Sequence, residues 1–290
     1  MTVRQACGWF GITTQAFYQK KQADLARQAE DQIILDFVRT IRQKHPKMGG
    51  RKLLHELQPL LQQQGIKRGR DQFFDLLRLH QLLVPHKRKP HRTTWAGRWR
   101  CPNRLDQALV TQPNQAWVAD ITYITTQQGF LYLALLTDLF SRYIVGYDLS
   151  QTLAVEGASR ALDMALQPLT SLQLQGLIHH SDHGIQYTCH FYRQRLDQYH
   201  ILPSMGEVGN CYDNAFAERV NGILKIEYNL DAFFVSHQDA HLATQQAIYL
   251  YNYERPHLSL NFQKPAHLYF LSHGVETSAI EPTTSEMPTL

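Results

Sequence analysis

The chain has 290 residues and is 43% hydrophobic, which is enough for one core of ordinary size and one or two smaller modules. No apolar run has the length of a membrane span, and the N-terminus lacks the pattern of a secretory signal, so we expect a cytoplasmic protein without a membrane partner. The four cysteines are scattered and form no Cys-x-x-Cys pair, which argues against a disulfide framework and a zinc ribbon.

The net charge of +4 conceals a division along the chain. Residues 1–111 carry 21 Lys and Arg against 8 Asp and Glu, whereas residues 112–290 carry 8 against 17. A basic half suits a polyanion such as nucleic acid, because each neutralised phosphate releases counterions. An acidic half with clustered carboxylates suits cations. The alternative is that both halves are solvated surfaces.

The first 22 residues have the pattern of a helix, a tight turn and a second helix. Gly11 permits the turn, and Thr13 can cap the helix that follows. This pattern is typical of a helix-turn-helix whose second helix enters a major groove. A plain helical hairpin in a small bundle has the same pattern, so both interpretations of residues 1–22 stay open.

Residues 23–84 repeat this theme as a helical domain. Apolar positions indicate an amphipathic helix that ends at a pair of glycines, and two more helices after it. Basic residues precede the third helix, and helix N-termini favour phosphate. We therefore expect a DNA-binding domain similar to a helix-turn-helix, with an all-helical spacer as the alternative. The expected contacts are Arg51, Lys67, Arg68 and Arg70.

Residues 85–111 are predicted to form a basic linker. The stretch from Pro85 to Arg104 has no apolar periodicity, and it contains three prolines, many Lys and Arg residues and two tryptophans. An extended basic segment with aromatic residues can lie along a DNA backbone, whereas the alternative is a simple tether. The expected DNA contacts here are Lys87, Arg88, Lys89, Arg92, Arg98 and Arg100.

Residues 112–230 change in character and predict an α/β domain. Three strands are expected between Ala116 and Leu149, joined by short connections as an antiparallel meander. A helix, a strand that ends at Asp182, a helix, a short strand and a long helix follow. This element order is that of an RNase H-like catalytic core. Residues 231–271 are predicted as a C-terminal helical extension, and residues 272–290, rich in Ser, Thr, Pro and Glu, as a flexible tail.

Three acidic residues occupy distinct places in this expected core. Asp120 lies inside the first strand among apolar and β-branched neighbours, where an acid is costly unless it is compensated. Asp182 ends the fourth strand and Glu218 lies on the long helix, with 35 residues between them. Convergence of three carboxylates requires positive charge, which two divalent cations with oxygen ligands provide. We therefore predict Asp120, Asp182 and Glu218 as catalytic residues and ligands of two Mg²⁺ or Mn²⁺ ions per active site, acting on a phosphodiester.

Other residues near these acids have simpler interpretations. Asp138 is expected to organise the hairpin between the second and third strands. His179 and His180 are expected to pack at the end of the fourth strand, since carboxylate ligation is the favoured arrangement for a hard cation.

Several motifs surround the three acids. They are Trp117-x-x-Asp120-Ile-Thr-Tyr, His180-Ser-Asp182-x-Gly184-x-Gln186-Tyr187, Asp213-Asn214-Ala215-x-x-Glu218, Leu224-Lys225-x-Glu227 and Tyr251-Asn252-x-x-Arg255-Pro256-His257. In these motifs the sequence resembles bacterial insertion-sequence transposases of the DDE type, whose catalytic core is similar to that of retroviral integrases. The resemblance covers residues 1–270, and its motifs are more specific in the core than in the helical N-terminal half.

The resemblance implies a reaction and its partners. Nicking by water frees a 3′-hydroxyl at each terminal inverted repeat, and that hydroxyl attacks another phosphodiester without a covalent protein intermediate. The implied partners are double-stranded DNA, as element ends and as target, and further copies of the chain in a dimer or larger oligomer on that DNA. Lys225, two helical turns after Glu218, is implied to contact the element end. Tyr187 and Asn214 are expected to face the same DNA.

Alternatives of other kinds remain open. One is an RNase H-like nuclease that cuts RNA in hybrids, which Lys225 and the basic N-terminal half disfavour. Another is a DNA-binding regulator derived from a transposase, which the intact triad disfavours. The resemblance also leaves open whether the chain is a second-reading-frame product, with an upstream-frame helix-turn-helix protein as partner, or the fusion of both frames.

Overall fold

The computed structural model describes residues 2–85, 97, 99–206 and 215–271. The chain divides into two units, Met1–Pro85 and His86–Leu290. Some of the expected DNA contacts lie outside the described residues, as does the tail 272–290; these contacts are Lys87, Arg88, Lys89, Arg92, Arg98 and Asn214.

The described part of the first unit consists of helices. They are α1 (Val3–Trp9), α2 (Thr14–Lys44), α3 (Gly50–Gln63) and α4 (Arg70–Leu79). Between α1 and α2, Gly11 has a φ of 64°, a conformation that glycine adopts without steric cost. Thr13 Oγ1 accepts a hydrogen bond from the Ala16 amide at 3.1 Å and caps α2. The predicted helix, tight turn and second helix are therefore present.

The boundary expected between residues 22 and 23 is wrong, because α2 runs through it. The 31 residues of α2 include no glycine or proline, and the Gln, Lys, Ala, Arg and Leu residues around the boundary are strong helix formers. The C-terminal half of α2 buries Ile34, Leu35 and Val38 in a core shared with α3 and α4. The second helix of the first segment and the first helix of the second segment are one helix.

The second unit is built on a mixed five-stranded sheet in the order β3-β2-β1-β4-β5. The strands are β1 (Ala116–Thr126), β2 (Gly129–Asp138), β3 (Ile144–Ser150), β4 (Ile178–Ser181) and β5 (Leu202–Met205). The first three pair antiparallel, as the predicted meander, whereas β4 is parallel to β1 and β5 is parallel to β4. Because β4 has only four residues, it pairs with β1 only from Ala116 to Ala119.

Helices cover both faces of this sheet. They are α5 (Val155–Leu166), α6 (Ser171–Leu174), α7 (Ile185–Thr188), α8 (His190–Gln198), α9 (Ala215–Glu227), α10 (His237–Tyr249) and α11 (Pro265–Leu271). A π-helix (Leu250–Glu254) continues α10, and 3₁₀ turns occur at Leu105–Gln107 and Leu258–Leu260. No helix among the described residues combines the length and apolar composition that crossing a membrane requires.

Side-chain alternation along β1 divides the core between the two faces. Trp117, Ala119 and Ile121 pack with α5 and α8 on one face. Ile124 packs with α9 and α10 on the other face. This arrangement of a mixed sheet between helical layers is the predicted RNase H-like fold.

The C-terminal helices belong to the same core as the sheet. Ala247 and Ile248 of α10 and Tyr251 of the π-helix pack in one cluster with Leu133 of β2 and Leu224 of α9. The boundary expected between residues 230 and 231 therefore does not separate two cores. The sequence showed only amphipathic helices there, and such helices pack equally well on a sheet or on each other.

Candidate active site

Two of the three predicted catalytic acids lie side by side on neighbouring strands. In the parallel pairing of β1 with β4, Ala119 is opposite Ser181 as the last pair, so Asp120 and Asp182 are the next residues of the two strands. Adjacent strands lie about 4.7–4.9 Å apart, so the register of the sheet itself brings the two aspartates together.

A glycine turn fixes the Asp182 carboxylate. The Gly184 amide donates a hydrogen bond to Asp182 Oδ1 at 2.8 Å. A Cβ atom at position 184 would lie only 2.8 Å from the same oxygen, closer than side chains pack in proteins. A side chain at this position would therefore displace the Asp182 carboxylate.

The third acid lies on α9 and is linked to the sheet by an asparagine. Glu218 is in the first turn of α9, and Asn221 follows three residues later, on the same face of the helix. Asn221 Nδ2 donates a hydrogen bond to Asp120 Oδ2 at 2.6 Å. This bond joins α9 to β1 one turn after Glu218, whose charge acts on Asp120.

The electrostatics of Asp120 show that both other acids act on it. Burial is the largest cause that raises the pKa of Asp120, to about 7, and the charge of Asp182 raises it further. Hydrogen bonds from Asn221 and from the Ile121 amide lower the pKa, and Glu218 contributes a smaller increase. Asp120 therefore carries an unfavourable charge at neutral pH unless a cation lies nearby.

A divalent cation fits these surroundings, although the acids do not form a closed ligand set. In the part of the chain that the structure describes, no group of three or more His, Cys, Asp or Glu side chains is arranged to hold a metal ion. Carboxylate oxygens are nevertheless the ligands that Mg²⁺ and Mn²⁺ prefer, and a cation would relieve the repulsion that raises the pKa of Asp120.

Lys225 lies close to the acids and over an aromatic ring. Its Nζ is 4.4 Å from the centroid of the Tyr123 ring, and Tyr123 makes an edge contact with the exposed Phe130 at 5.5 Å between centroids. Burial lowers the pKa of Lys225, while the charge of Asp120 raises it. A lysine and two aromatic rings therefore line the part of β1 that β4 leaves uncovered, and the lysine lies within the field of Asp120.

Tyr187 does not face solvent, contrary to the expectation that it contacts DNA. Its side chain is only 2% exposed and packs against His179 and Tyr192. The cause is α7, a single helical turn that the sequence analysis did not include and that folds Tyr187 back into the core.

The simpler interpretations of Asp138 and the histidines are confirmed. Asp138 Oδ1 accepts hydrogen bonds from the amide and hydroxyl of Ser141, at 2.7 and 2.6 Å, and so organises the turn before β3. His179 Nε2 is hydrogen-bonded to the Tyr192 hydroxyl at 2.9 Å, and burial lowers the pKa of His179 to about 4. His180 Nδ1 lies 2.9 Å from Ser204 Oγ. Both histidines are buried, as expected for packing residues.

The basic residues expected to bind DNA through the first unit fall into two groups. Arg51, Lys67 and Arg70 are exposed at or near the starts of α3 and α4. Arg68 is not available for DNA, because its side chain is 4% exposed and forms salt bridges with Glu30 and Asp31 of α2, at 3.1 and 2.9 Å. In the second unit, Arg100 is exposed, and its Nη1 donates to the carbonyl oxygens of Gly97 and Trp99.

Three polar residues that support the site were not assigned a role from the sequence. Asn221 could have been found from its spacing of three residues after Glu218. Glu227 and Arg255 belong to quoted motifs, and they form a salt bridge at the end of α9. Their pairing joins positions 28 residues apart, which no local pattern reveals.

Comparison with known families agrees with the fold and the place of these acids. Models of the integrase core domain match residues 110–211 and residues 199–265. The matches cover β1 with Asp120, β4 with Asp182, and α9 with Glu218. The second unit is therefore an integrase-type core.

Relatives along most of the chain define the family. The chain is 36% identical to an uncharacterized 31 kDa protein of insertion element IS600 from Shigella sonnei, over 90% of this chain and 96% of the relative. It is 32% identical to the transposase for insertion sequence element IS629 from Shigella sonnei, over 82% of this chain and 79% of the relative. A putative transposase for IS986/IS6110 from Mycobacterium tuberculosis is 40% identical over 49% of this chain and 53% of the relative. The chain belongs to the family of insertion-sequence transposases.

Solved structures show a more distant likeness. The catalytic core domain of HTLV-2 integrase in complex with magnesium has a TM-score of 0.44 and 19% identity, covering 55% of this chain and 97% of that one. A simian T-cell lymphotropic virus intasome has a TM-score of 0.46 and 17% identity, covering 84% of this chain and 74% of that one.

Proposed function

We propose that the chain is a DNA transposase that catalyses metal-dependent 3′-end nicking and strand transfer at the terminal inverted repeats of an insertion sequence. The observation that carries this proposal is the raised pKa of Asp120, about 7, which burial causes first and to which the charges of Asp182 and Glu218 add. Such surroundings favour a divalent cation, and the chain belongs to a family of transposases.

The three carboxylates are proposed to hold two Mg²⁺ or Mn²⁺ ions. Bound there, the ions would activate the attacking oxygen and stabilise the leaving oxygen of a phosphodiester. Asp120 and Asp182 are held by the sheet and by amide hydrogen bonds, whereas Glu218 depends on α9. The residues of the chain thus orient the ligands before DNA arrives.

Lys225 is proposed to contact the element end. Its ammonium group lies over Tyr123 and within the field of Asp120, so a phosphate bound beside the acids would lie close to it. The exposed ring of Phe130 next to Tyr123 offers an aromatic surface against which a base can stack.

Double-stranded DNA is the proposed partner, as element ends and as target, with at least two copies of the chain on it. Exposed basic residues at helix starts of the first unit support DNA binding there, namely Arg51, Lys67 and Arg70. Arg100 and the basic stretch before it are proposed to follow the DNA backbone.

Isosteric variants of the acids test the function. Full-length protein carrying Asp120→Asn, Asp182→Asn or Glu218→Gln is incubated with labelled duplexes that end in the terminal repeat of the element. Each variant should lose Mg²⁺-dependent nicking and strand transfer while it still binds the duplex. Glu156→Gln, which changes an exposed acid on α5, is the control and should retain both reactions.

Other outcomes would point to the other interpretations. Strand transfer that persists in all three variants would contradict the proposal. Wild-type protein that cuts RNA in hybrids in preference to duplex ends would indicate a nuclease. Wild-type protein that binds the ends without metal-dependent cleavage would indicate a regulator.

A further inference from the structure

The hydroxyl group of Tyr187 is a buried polar group without a hydrogen-bond partner. The residue is 2% exposed, and no described atom accepts from or donates to its oxygen. The neighbouring Tyr192 is also fully buried, but its hydroxyl is paired with His179 Nε2 at 2.9 Å. The two tyrosines contact each other, but of the two hydroxyl groups only that of Tyr192 has a hydrogen-bond partner among the described residues.

An unsatisfied buried hydroxyl lowers the stability of the folded protein, because burial removes its hydrogen bonds with water. Packing alone would favour phenylalanine at position 187, because the ring makes the contacts with His179 and Tyr192. The oxygen is thus unfavourable for the stability of the free protein. The structure therefore supports a role for the Tyr187 oxygen in contact with a group that is absent from the free protein.

The ring of Tyr187 lies close to the Asp182 carboxylate, at the turn that follows β4. A Cβ atom at Gly184 would touch both Asp182 Oδ1, at 2.8 Å, and the Tyr187 ring, at 3.6 Å, so the carboxylate and the ring flank the same glycine. The charges of Asp120 and Asp182 both act on Tyr187, and burial raises its pKa well above the usual value. The group therefore stays protonated and can donate a hydrogen bond.

Two more buried atoms next to the aspartates are unsatisfied in the same way. Among the described residues Asn221 Oδ1 has no hydrogen-bond partner, although Nδ2 of the same amide is bonded to Asp120. Gln186 Oε1 has none either, and it lies 3.3 Å from the Cβ position of Gly184. Among the described residues, three unsatisfied atoms on two elements, α7 and α9, surround one acid pair, which indicates that their polar surroundings are incomplete without a further component.

We propose that Tyr187 is a positioning residue for the acid pair: when a divalent cation binds, the Tyr187 hydroxyl donates a hydrogen bond to the Asp120–Asp182 pair and holds it in the ligating orientation. This inference rests on the proposed function, because it requires a cation at the acids. It replaces the expected contact of Tyr187 with DNA by a contact with the residues that hold the metal.

Tyr187→Phe tests the inference, with Tyr192→Phe as the matched control. Thermal unfolding of the full chain is followed during titration with MgCl₂, without DNA. Tyr187→Phe should leave the unfolding temperature of the metal-free protein unchanged or higher, because it removes an unsatisfied group. It should raise the Mg²⁺ concentration for half-maximal stabilisation by about tenfold, as expected when a group that orients metal ligands is lost. Tyr192→Phe should lower the metal-free unfolding temperature and leave the Mg²⁺ midpoint unchanged.

Nicking of terminal-repeat duplexes gives a second measurement. Tyr187→Phe should reduce the rate at low Mg²⁺ and approach the wild-type rate as Mg²⁺ is raised, whereas Tyr192→Phe should show no such dependence. An unchanged Mg²⁺ midpoint in Tyr187→Phe would overturn the inference. So would a metal-free destabilisation as large as that of Tyr192→Phe, because it would show that the hydroxyl already has a partner.

The failure of this inference is distinguishable from the failure of the proposed function. If Mg²⁺ stabilises the wild type but not Asp120→Asn, and Tyr187→Phe responds as the wild type does, only the role of Tyr187 is wrong. If the wild type shows neither stabilisation by Mg²⁺ nor metal-dependent nicking, the proposed function itself fails.

Discussion

Arg255 forms two hydrogen bonds with Glu227 and ties the C-terminal end of α9 to the segment that follows the π-helix. Arg255 Nε donates to Glu227 Oε2 at 2.8 Å, and Nη2 donates to Oε1 at 2.9 Å. The Arg255 side chain is 3% exposed. This pair explains why the motif around Glu227 and the motif around Arg255 occur together, since each residue neutralises the other inside the protein.

Arg255→Gln should destabilise the second unit strongly. The substitution removes the cation that neutralises the largely buried charge of Glu227, for which the expected loss is about 3–5 kcal/mol of unfolding free energy. The matched control is Arg160→Gln, because Arg160 pairs in the same two-bond geometry with Asp148 but is 55% exposed. That control should lose no more than about 1 kcal/mol. Denaturant unfolding followed by near-UV circular dichroism measures both, and equal losses would contradict the role of burial.

Asn252 should contribute to stability through the backbone of β3. Its Oδ1 accepts from the Ile144 amide at 2.9 Å, and its Nδ2 donates to the Ile144 carbonyl at 3.1 Å. Asn252→Ala leaves two buried backbone groups without partners and should cost about 1–3 kcal/mol for each. Asn252→Asp keeps an acceptor for the amide but places a carboxylate against the carbonyl, so it should not restore stability. A wild-type unfolding temperature in either variant would be evidence against this contact.

The stability of the metal-free protein should fall as pH rises, because of Asp120. The pKa of its carboxyl group is raised from 3.8 to about 7 on folding, so between these values the folded protein holds a proton that the unfolded chain has released. The stability linked to this proton is complete below the lower value and is lost as pH rises through about 7. Asp120→Asn, which resembles the neutral form, should therefore unfold at an increasingly higher temperature than the wild type from pH 5 to pH 8.

Unfolding temperatures measured across this range in the presence of a chelator check the prediction. Asp106→Asn, which changes an exposed acid in a 3₁₀ turn, is the control. Its unfolding temperature should change with pH as that of the wild type does. If the unfolding temperatures of Asp120→Asn and the wild type differed by the same amount at every pH, the pKa of the Asp120 carboxyl group would not be raised on folding.

Lys225→Gln should weaken binding to terminal-repeat duplexes and make that binding less sensitive to salt. If Lys225 neutralises one phosphate, its loss should reduce the slope of log affinity against log salt by about 0.9. Lys264→Gln, which removes the charge of an exposed lysine in the same unit, should change neither quantity to this extent. Fluorescence anisotropy at several salt concentrations gives both values. An unchanged slope for Lys225→Gln would show that the lysine has another role.

The sequence was informative where a local pattern determines the structure. The sequence placed Asp120 inside one strand and Asp182 at the end of another, because apolar runs reveal strands and their ends; parallel pairing then sets the two residues next to each other. Thr13 and Gly11 predicted the turn between α1 and α2 for the same reason, since capping and turn chemistry are local.

Contacts between distant segments could not be predicted. Arg68 resembled a DNA contact because the acids that bury it, Glu30 and Asp31, lie on another helix almost forty residues earlier. Tyr187 resembled a surface residue because its burial depends on a single helical turn, which is too short to show periodicity. Asn221 and Arg255 acquire their roles only when α9 is packed on the sheet.

Pairing of the short β4 strand with β1 fixes the positions of two of the three acids, whereas the position of the third depends on a helix. Backbone hydrogen bonds of the sheet set the separation of Asp120 and Asp182, so rotations of nearby helices leave it unchanged. Glu218 is carried by α9 alone, and a slip of that helix by one residue would move it by about 1.5 Å along the axis. Whether the three acids can share a ligand is thus decided by the position of a single helix. Asn221 and Glu227 anchor that helix at two points, so we expect substitutions that weaken either anchor to move Glu218 without altering any of the three acids.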